Sequence, residues 1–241
     1  MNSLIHRVVP ATCFYLLLGI ASAQTRSPVT VDLQGTPARL APPSGMCAVD
    51  FERLIADEAN ASMRRSVAVL RQSFSIYVMA YECDVARKMM QPSSQIEAIQ
   101  PKRWTLIMAP MRQGKLLKLR PGESESETLK AIERGMRDSG LAAQKFAKKM
   151  NDENVNLSAQ NTPQILEVTP RAIYATLVGD FERRDLDVRY RFATVTASLF
   201  VKGVVVNLNV YETFDARAKP PTDRLLAQAK EAVQLVHDLN R

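Results

Sequence analysis

The chain has 241 residues, of which 46% are hydrophobic and 24% are charged, and its formal net charge is +7. This composition is that of an ordinary globular protein and excludes the disordered and fibrous classes. Two histidines and three cysteines are too few for a site built from clustered His or Cys ligands, so we expect no metal and no cofactor.

The start of the chain predicts a secretory signal peptide. Basic residues precede a short apolar run that ends at Ile20, and small residues follow at positions 21–23. This order is typical of a leader that is cleaved, here between Ala23 and Gln24. An uncleaved anchor is the alternative, but it needs about 20 apolar residues. We therefore expect residues 1–23 to be removed and the mature chain, which has no later transmembrane segment, to be periplasmic or secreted.

Export determines how the cysteines are interpreted. The mature chain keeps only Cys47 and Cys83, an even number in an oxidising compartment, and we expect them to form a disulfide bond. The alternative is a nucleophilic cysteine with His237 as its base. A paired cysteine has no thiolate with which to attack, so the disulfide argues against this alternative.

The mature sequence predicts one domain behind a short lead. Residues 24–45 are rich in Gly and Pro and are predicted to form an extended entry segment, with a short strand at 29–33. Residues 46–241 are predicted to form a single α+β domain. No internal repeat divides it.

Helical and strand patterns alternate in the first half of this domain. Apolar residues at helical spacing, with Asp50 as N-cap, predict a helix over residues 50–64. Enrichment in β-branched and aromatic residues predicts strands at 74–81 and 103–109, the second closed by Pro110.

The middle of the chain carries a helix-start signal. Ser124 and Glu127 form a capping pattern that predicts a helix, with a break near Gly140. Residues 122–126 superficially resemble a nucleophile elbow, but the second glycine and the preceding buried strand are missing. The polar stretch over 151–164 is predicted to be a loop.

Alternation of apolar and polar residues is clearest in the last third. Residues 173–181 and 204–211 predict half-buried strands. Between them the apolar face switches near Phe192–Ala193, which predicts a β-bulge unless both faces are covered. Lys202–Gly203 predicts a tight turn, and an amphipathic helix follows Pro220–Pro221. The fold class predicted is α+β, with an antiparallel sheet that ends in a three-strand meander and is covered by helices.

One motif resembles a known group of proteins. The pattern Pro42-Pro43-x-Gly45-x-Cys47-x-x-Asp50, with a strand ending at Cys83, resembles a family of uncharacterised exported bacterial proteins. The order of strands and helices over residues 40–240 is similar to that of PsbP-like α/β/α sandwiches. This resemblance implies a non-catalytic binding or assembly factor, and it carries over no site residue.

The distribution of charge suggests one binding surface. Six cations and no acid lie between Lys102 and Arg120, and we predict that Lys115, Lys118 and Arg120 contact an anionic partner. Such a partner is an envelope polymer, a lipid headgroup or an acidic protein; a solvated loop is the alternative. Nucleic acid is not expected, because the chain is exported and Trp104 is the only aromatic residue of the segment.

The leading hypothesis is therefore an exported, non-catalytic binding or assembly protein whose ligand, a protein, a small molecule or an envelope component, is unknown. The alternative is a hydrolase with an unrecognised serine or carboxylate site. His237 is the only histidine of the mature chain, and no neighbouring motif marks it as catalytic. Glu182, Asp185 and Asp187 cluster near a turn, but Arg183–Arg184 argue against a cation site there.

Overall fold

The computed structural model describes residues 27–56, 60–91, 101–137, 148, 151, 155–159, 163–184, 187–215 and 217–241. Its strands are β1 (Val29–Asp32), β2 (Pro37–Leu40), β3 (Met46–Val49), β4 (Phe74–Glu82), β5 (Arg103–Arg112), β6 (Lys115–Leu116), β7 (Val155–Ala159), β8 (Gln164–Val168), β9 (Ala172–Arg183), β10 (Val188–Val201) and β11 (Val204–Phe214). Its helices are α1 (Phe51–Ala56), α2 (Ala61–Arg71), α3 (Cys83–Met89), α4 (Glu125–Arg137) and α5 (Thr222–Leu239).

A nine-stranded sheet organises the fold. Its strands lie in the order β3-β4-β5-β11-β10-β9-β7, while β6 pairs with β5 and β8 pairs with β9. Every one of these pairings is antiparallel. Strands β9, β10 and β11 form the predicted meander, and helices pack on the sheet, so the α+β class is confirmed.

One face of the sheet packs against α5. Alternate residues of β10 over 193–201 and of β11 over 204–210 point to this face and are buried. Strands β1 and β2 form a hairpin whose flanking Leu33 and Leu40 are fully buried in the same core. Residues 29–40, within the predicted entry segment, thus contribute a hairpin to the domain core. Helix α5 buries an apolar stripe consisting of Leu225, Ala229, Ala232, Val233 and Val236.

The opposite face carries the other four helices in two groups. Helices α1, α2 and α3 cover β4 and β5, where Leu106 and Met108 belong to a shared apolar cluster. Helix α4 places Leu129 against Ile173 of β9 and Phe200 of β10. Helices therefore lie on both faces, and the described architecture has three layers, α/β/α.

The centre of this second face is aromatic and polar. Trp104 of β5 stacks on Tyr211 of β11 with ring centroids 4.9 Å apart, and Phe192 lies against both rings. Further along β10, the Thr196 hydroxyl donates to the Asn209 amide oxygen at 2.7 Å. Asn209 is only 4% exposed, so polar side chains that alternate with the apolar core are buried as well.

Burial of both faces decides between the two alternatives at Phe192–Ala193. The pairing of β9 with β10 runs without a register shift from 188 to 199, so the predicted bulge is wrong. Phe192 belongs to the aromatic cluster on one face and Ala193 to the α5 core on the other. The apolar pattern switches because the buried face changes along the strand, while the backbone stays regular.

The helix predicted over 50–64 is divided. Asp50 does cap α1, because its Oδ1 accepts the Arg53 N–H at 3.2 Å. The helix ends at residue 56, and α2 begins at residue 61. Asn60, fully buried, donates its side-chain amide to the Leu54 carbonyl at 2.8 Å and so satisfies a carbonyl of the first helix.

Other boundaries differ from the predictions in detail. Strand β4 is confirmed, whereas β5 continues past Pro110 to Arg112. The stretch predicted as a loop over 151–164 contains β7 and the start of β8. The predicted helix break at Gly140 and the signal peptide at 1–23 lie outside the described residues. Among the described residues, no helix has the length and apolar composition needed to cross a bilayer.

Candidate functional site

The predicted disulfide is present. Cys47 of β3 and Cys83, the first residue of α3, are joined with their Cα atoms 4.8 Å apart. The bond connects the edge strand of the sheet to the helix that follows β4. Both sulfur atoms are consumed, so a nucleophilic cysteine that acts with His237 is excluded in this oxidised state.

The predicted basic residues lie beside the turn between β10 and β11. The Leu119 N–H donates to the Gly203 carbonyl at 2.9 Å, and the Val205 N–H donates to the Leu117 carbonyl at 2.9 Å. Residues 117–119 therefore run along that turn as an extra strand-like segment, and Lys118 forms a β-bridge with Val204. Lys115, Lys118 and Arg120 are all exposed.

The six-cation segment is not one patch. Lys102 and Arg103 lie at the start of β5, at the end of the ten-residue strand opposite to Arg112. Arg103 is also compensated, because its guanidinium donates to Glu82 Oε1 at 2.7 Å. Only the part from Arg112 to Arg120 reaches the turn between β10 and β11.

That turn also borders an open cleft of about 390 Å³. The cleft lies where the last turn of α5, the turn between β10 and β11, the turn between β8 and β9 and the start of α4 meet. We call it the basic cleft. Its lining residues are Glu125, Arg171, Phe200, Val201, Lys202, Gly203, Val236, His237, Asn240 and Arg241.

Backbone geometry places Lys202 at the mouth of the cleft. Lys202 and Gly203 both have positive φ, 50° and 76°, as expected for a two-residue hairpin turn whose twist matches the strands. The predicted tight turn is therefore confirmed. Glycine tolerates this conformation readily, whereas Lys202 adopts it because the flanking strands are fully paired up to Val201 and Val204.

The charge of the cleft is mainly positive. Arg171 donates from Nη1 to the uncharged Gln234 Oε1 at 3.1 Å. Within the described part of the chain, neither Arg171 nor Lys202 forms an ion pair. Arg241 pairs with Asp238 at 2.8 Å. Among the described residues, Glu125 is the one that brings a carboxylate side chain to the lining of the cleft, and it is exposed.

Among the titratable side chains that line the cleft, His237 has the ordinary pKa closest to neutral pH. Burial, and then the positive charge of Arg171, lower the pKa of His237. The charges of Glu125 and Asp238 and a hydrogen bond to the Arg171 carbonyl act in the opposite direction. The net result is a pKa of His237 below its ordinary value, which favours the uncharged ring. Its Nε2 atom is buried and has no hydrogen-bond partner among the described residues.

The described residues that line the cleft supply no hydroxyl or thiol nucleophile for hydrolysis. Its lining residues include no serine, threonine or cysteine in the described part of the chain. Ser124, the serine next to the start of α4, is used otherwise: its Oγ accepts the Glu127 N–H at 3.2 Å and donates to Glu127 Oε2 at 2.8 Å. This reciprocal capping box is the structure predicted for residues 124–127.

Of the acidic residues near the turn between β9 and β10, Glu182 is compensated, and Asp185 lies outside the described residues. Glu182 accepts from Arg189 at 2.6 Å and from Asn156 Nδ2 at 3.4 Å. The hydrogen bond from Arg189 is the largest cause of the lowered pKa of Glu182. Over the described residues, no group of three or more His, Cys, Asp or Glu side chains is arranged to hold a metal ion.

Several residues of the site were not found from the sequence. Arg171, Lys202 and Arg241 are isolated cations in the sequence, separated by 31 residues or more, and no local motif marks them. His237 was considered only as a catalytic base. These residues share one feature in the sequence, because each lies at the end of a predicted strand or helix. The order of the strands in the sheet is needed to show which of these ends lie next to one another.

Together, the strands and helices define a three-layer α/β/α protein in which cations from three separate places in the chain meet at one end of the sheet. We call this end, with Lys115, Lys118, Arg120, Arg171 and Lys202, the basic end. A comparison of the sequence with protein-family models and with curated proteins found no match to either. Function is therefore inferred from the geometry and charge of the residues themselves.

Proposed function

We propose that this chain is an exported, non-catalytic protein that binds an anionic partner of the cell envelope at its basic end. One observation carries the proposal. Hydrogen bonds from residues 117–119 to the turn between β10 and β11 bring the cations of 115–120 beside Lys202 and the basic cleft. Arg120 pairs with Glu123 at 3.7 Å, but both side chains are exposed, and the cations of the basic end still outnumber this acid. A surface with such an excess of cations attracts anions and raises their local concentration.

Export is supported by the leader pattern and by the cysteines. Residues 1–23 have the order of segments that signal peptides share. The disulfide between Cys47 and Cys83 suits an oxidising compartment, because such bonds are rare where thiols are kept reduced. N-terminal sequencing of the mature protein is expected to begin at Gln24, and a product that retains Met1 would contradict export by cleavage.

Binding without catalysis is supported by the content of the cleft. A hydrolytic site needs a nucleophile or activated water beside a base, held within hydrogen-bond reach. His237 has the ring for a base, but it lies among cations and apolar side chains, and its neighbours in the cleft supply no hydroxyl or thiol within the described residues. The alternative hydrolase therefore gains no support from this site.

Vesicle binding tests the proposal. The mature protein is expected to sediment with vesicles of phosphatidylcholine that contain phosphatidylglycerol and to stay in solution with pure phosphatidylcholine. Raising the salt from about 0.1 M to about 1 M shortens the screening length from about 10 Å to about 3 Å and should release the protein. The triple variant Lys115→Gln, Lys118→Gln and Arg120→Gln is expected to lose most of this binding.

A matched variant controls for net charge. Arg87, Lys88 and Lys102 are exposed and lie away from the basic end, near the start of β5 and on α3. Their replacement by Gln removes the same charge and should leave binding nearly unchanged. Binding that ignores salt, or equal losses in the two triple variants, would refute a localised basic site. Polyglutamate as a competitor shows whether the surface accepts anions in general.

A further inference from the structure

The basic cleft combines cations with an imidazole and apolar residues, whereas attraction of anions in general requires only the cations. We propose that it binds a terminal phosphate, the monoester group of an organic ligand or of a lipid headgroup. This inference rests on the proposed function, because it names the group on the anionic partner that the basic end recognises. Three features of the cleft lead to it: the cations, the imidazole and the apolar floor.

Two cations at the mouth of the cleft are available to an anion. Among the described residues the Arg171 guanidinium donates only to the neutral Gln234 side chain, and Lys202 lies in a hairpin turn. A guanidinium presents two parallel N–H groups that fit two oxygens of one phosphate, and an ammonium adds a point charge. A terminal phosphate carries a charge of about −1.5 to −2 and three acceptor oxygens, so it can use both groups at once.

The imidazole offers a further hydrogen bond. His237 Nε2 is a buried polar atom without a partner among the described residues, and an unsatisfied buried group is costly. In the neutral ring the proton lies on the nitrogen that donates to the Arg171 carbonyl, so Nε2 donates to a phosphate oxygen only when the ring is protonated, a form that a bound anion favours. The charged groups facing the ring are Arg171 from the turn between β8 and β9, Glu125 from α4 and Asp238 from its own helix, and Lys202 and Arg241 line the same cleft.

The floor of the cleft accounts for an organic part of the ligand. Phe200 and Val201 of β10 and Val236 of α5 are the apolar residues that line the cleft, each at most 3% exposed, and Phe200 and Val201 border it from opposite faces of the sheet. A volume of about 390 Å³ lies at the small end of the range of ligand pockets, which runs from about 300 to 1,000 Å³. Inorganic phosphate alone would leave most of this space empty, whereas a small phosphate monoester fills more of it.

Glu125 provides a test with the opposite sign. Its carboxylate lines the cleft across from the cations and repels any bound anion. Glu125→Gln should therefore tighten phosphate binding severalfold, whereas Arg171→Gln should weaken it about tenfold, because a charge-assisted hydrogen bond is lost. Opposite shifts from two exposed side chains of one cleft are not expected from general damage to the fold.

The soluble arm of the experiment uses calorimetry with phenyl phosphate and with inorganic phosphate. The mature protein is expected to bind phenyl phosphate more tightly than inorganic phosphate, because of the apolar floor. Arg171→Gln and Glu125→Gln should change the affinity for phenyl phosphate in the directions given above. Undetectable binding of both probes, or no response to either substitution, would overturn the proposal.

The role of His237 is tested by pH. An anion beside the ring favours its protonated form, so the contribution of His237 to binding should grow as pH falls from 7.5 to 5.5. The phosphate monoester itself has a second pKa of about 6, but its titration affects the affinity of every variant equally. The readout is therefore the ratio of affinities of the unmodified protein and His237→Gln. A ratio that stays flat across this range would contradict the placement of the phosphate beside the ring.

Vesicle binding distinguishes a lipid headgroup from a soluble ligand as the source of the phosphate. It also distinguishes failure of this inference from failure of the proposed function. Vesicles with phosphatidic acid carry a terminal phosphate, whereas phosphatidylglycerol vesicles of matched surface potential carry only diesters. Preference for phosphatidic acid that disappears in Arg171→Gln supports a lipid headgroup; phenyl phosphate binding without that preference supports a soluble ligand. Equal binding of both vesicles, with no phenyl phosphate binding, would overturn the inference and leave the proposed function standing. No vesicle binding at all would overturn the proposed function.

Discussion

The ion pair between Glu212 and Arg224 gives the sharpest prediction about stability. Glu212 of β11 is only 2% exposed, whereas its partner in the first turn of α5 is 57% exposed. Arg224 Nε donates to Glu212 Oε2 at 3.0 Å, and a second guanidinium nitrogen donates to Oε1. Arg224→Ala would leave a carboxylate in the sheet without its counter-charge.

The expected cost follows from this asymmetry. Removing one partner of a buried pair typically costs about 3 to 5 kcal/mol, because the remaining charge is uncompensated. Water already reaches the half-exposed Arg224, so we expect the low end, about 3 kcal/mol. In a domain of this size, each kcal/mol shifts the melting temperature by about 2 to 4 °C, so the variant should melt about 6 to 12 °C lower.

The order of three variants tests the reasoning. Glu212→Gln keeps an acceptor for Arg224 and removes the buried charge, so it should cost less than Arg224→Ala. The double variant Glu212→Leu with Arg224→Met replaces both partners by apolar groups and should be nearly neutral. Urea unfolding followed by circular dichroism and by the fluorescence of Trp104 measures each free energy of unfolding.

An exposed pair serves as the matched control. Arg137 donates to Glu133 at 2.7 Å on the surface of α4, and its side chain is 63% exposed. Arg137→Ala should cost no more than about 0.5 kcal/mol, the value of a pair on a helix surface. The reasoning would be refuted if Arg224→Ala cost as little as Arg137→Ala, or if the apolar double variant were as unstable as Arg224→Ala.

Three further predictions concern the disulfide, one glycine and one tyrosine. Replacing Cys47 and Cys83 by Ala should cost about 3 to 4 kcal/mol for a loop of this length, measured by urea unfolding, and two free thiols in the exported protein would contradict the pairing. Gly179→Ala should destabilise by about 1 to 3 kcal/mol, because a Cβ there would lie 2.6 Å from Phe192 Cζ; an unchanged melting temperature would disprove that contact. Burial raises the pKa of Tyr211 to about 12, so its folded form holds a proton that the unfolded form releases near pH 10, and stability should fall between pH 10 and 12. The difference in absorbance at 295 nm between the protein and Tyr211→Phe measures this titration, and ionisation near pH 10 in the folded state would contradict it.

The sequence predicted those parts of the fold that depend on local patterns. Alternation over 173–181 and 204–211 predicted β9 and β11, and the Lys202–Gly203 pair predicted the hairpin turn between β10 and β11, since these signals are complete within a few residues. The capping box at 124–127 is equally local. The disulfide was predictable because, once residues 1–23 are expected to be removed, Cys47 and Cys83 are the two cysteines left to pair.

The errors arise where burial depends on distant elements. Alternation in β11 suggested one solvated face, yet Asn209 is buried and donates to the Leu106 carbonyl of β5 at 3.1 Å. A polar residue in a strand is predicted to face water, unless a neighbouring strand or a helix supplies its hydrogen bonds. The incorrect prediction of a bulge at Phe192–Ala193 has the same cause, because a few neighbouring residues in the sequence do not show that both faces of the strand are covered.

The candidate site was predictable only in part for the same reason. Lys115, Lys118 and Arg120 are close in sequence, so the charge pattern reveals them. Arg171 and Lys202 come together only because β9 and β10 pair antiparallel, which places the start of one beside the end of the other. Strand order therefore carries information about the site that composition does not.

The charged residues of the cleft lie outside the apolar core of the domain. Arg171 and Lys202 lie in turns, Glu125 begins a helix and His237 lies in the last turn of another, so none of them contributes to the apolar core that holds the sheet to α5. Rigid elements position such residues, while the turns tolerate substitution. Changes to the charges of the cleft should therefore alter ligand affinity with little loss of stability, in contrast to Arg224, whose removal leaves a charge buried in the sheet. This contrast makes binding at the basic end separable by mutation from the folding of the domain.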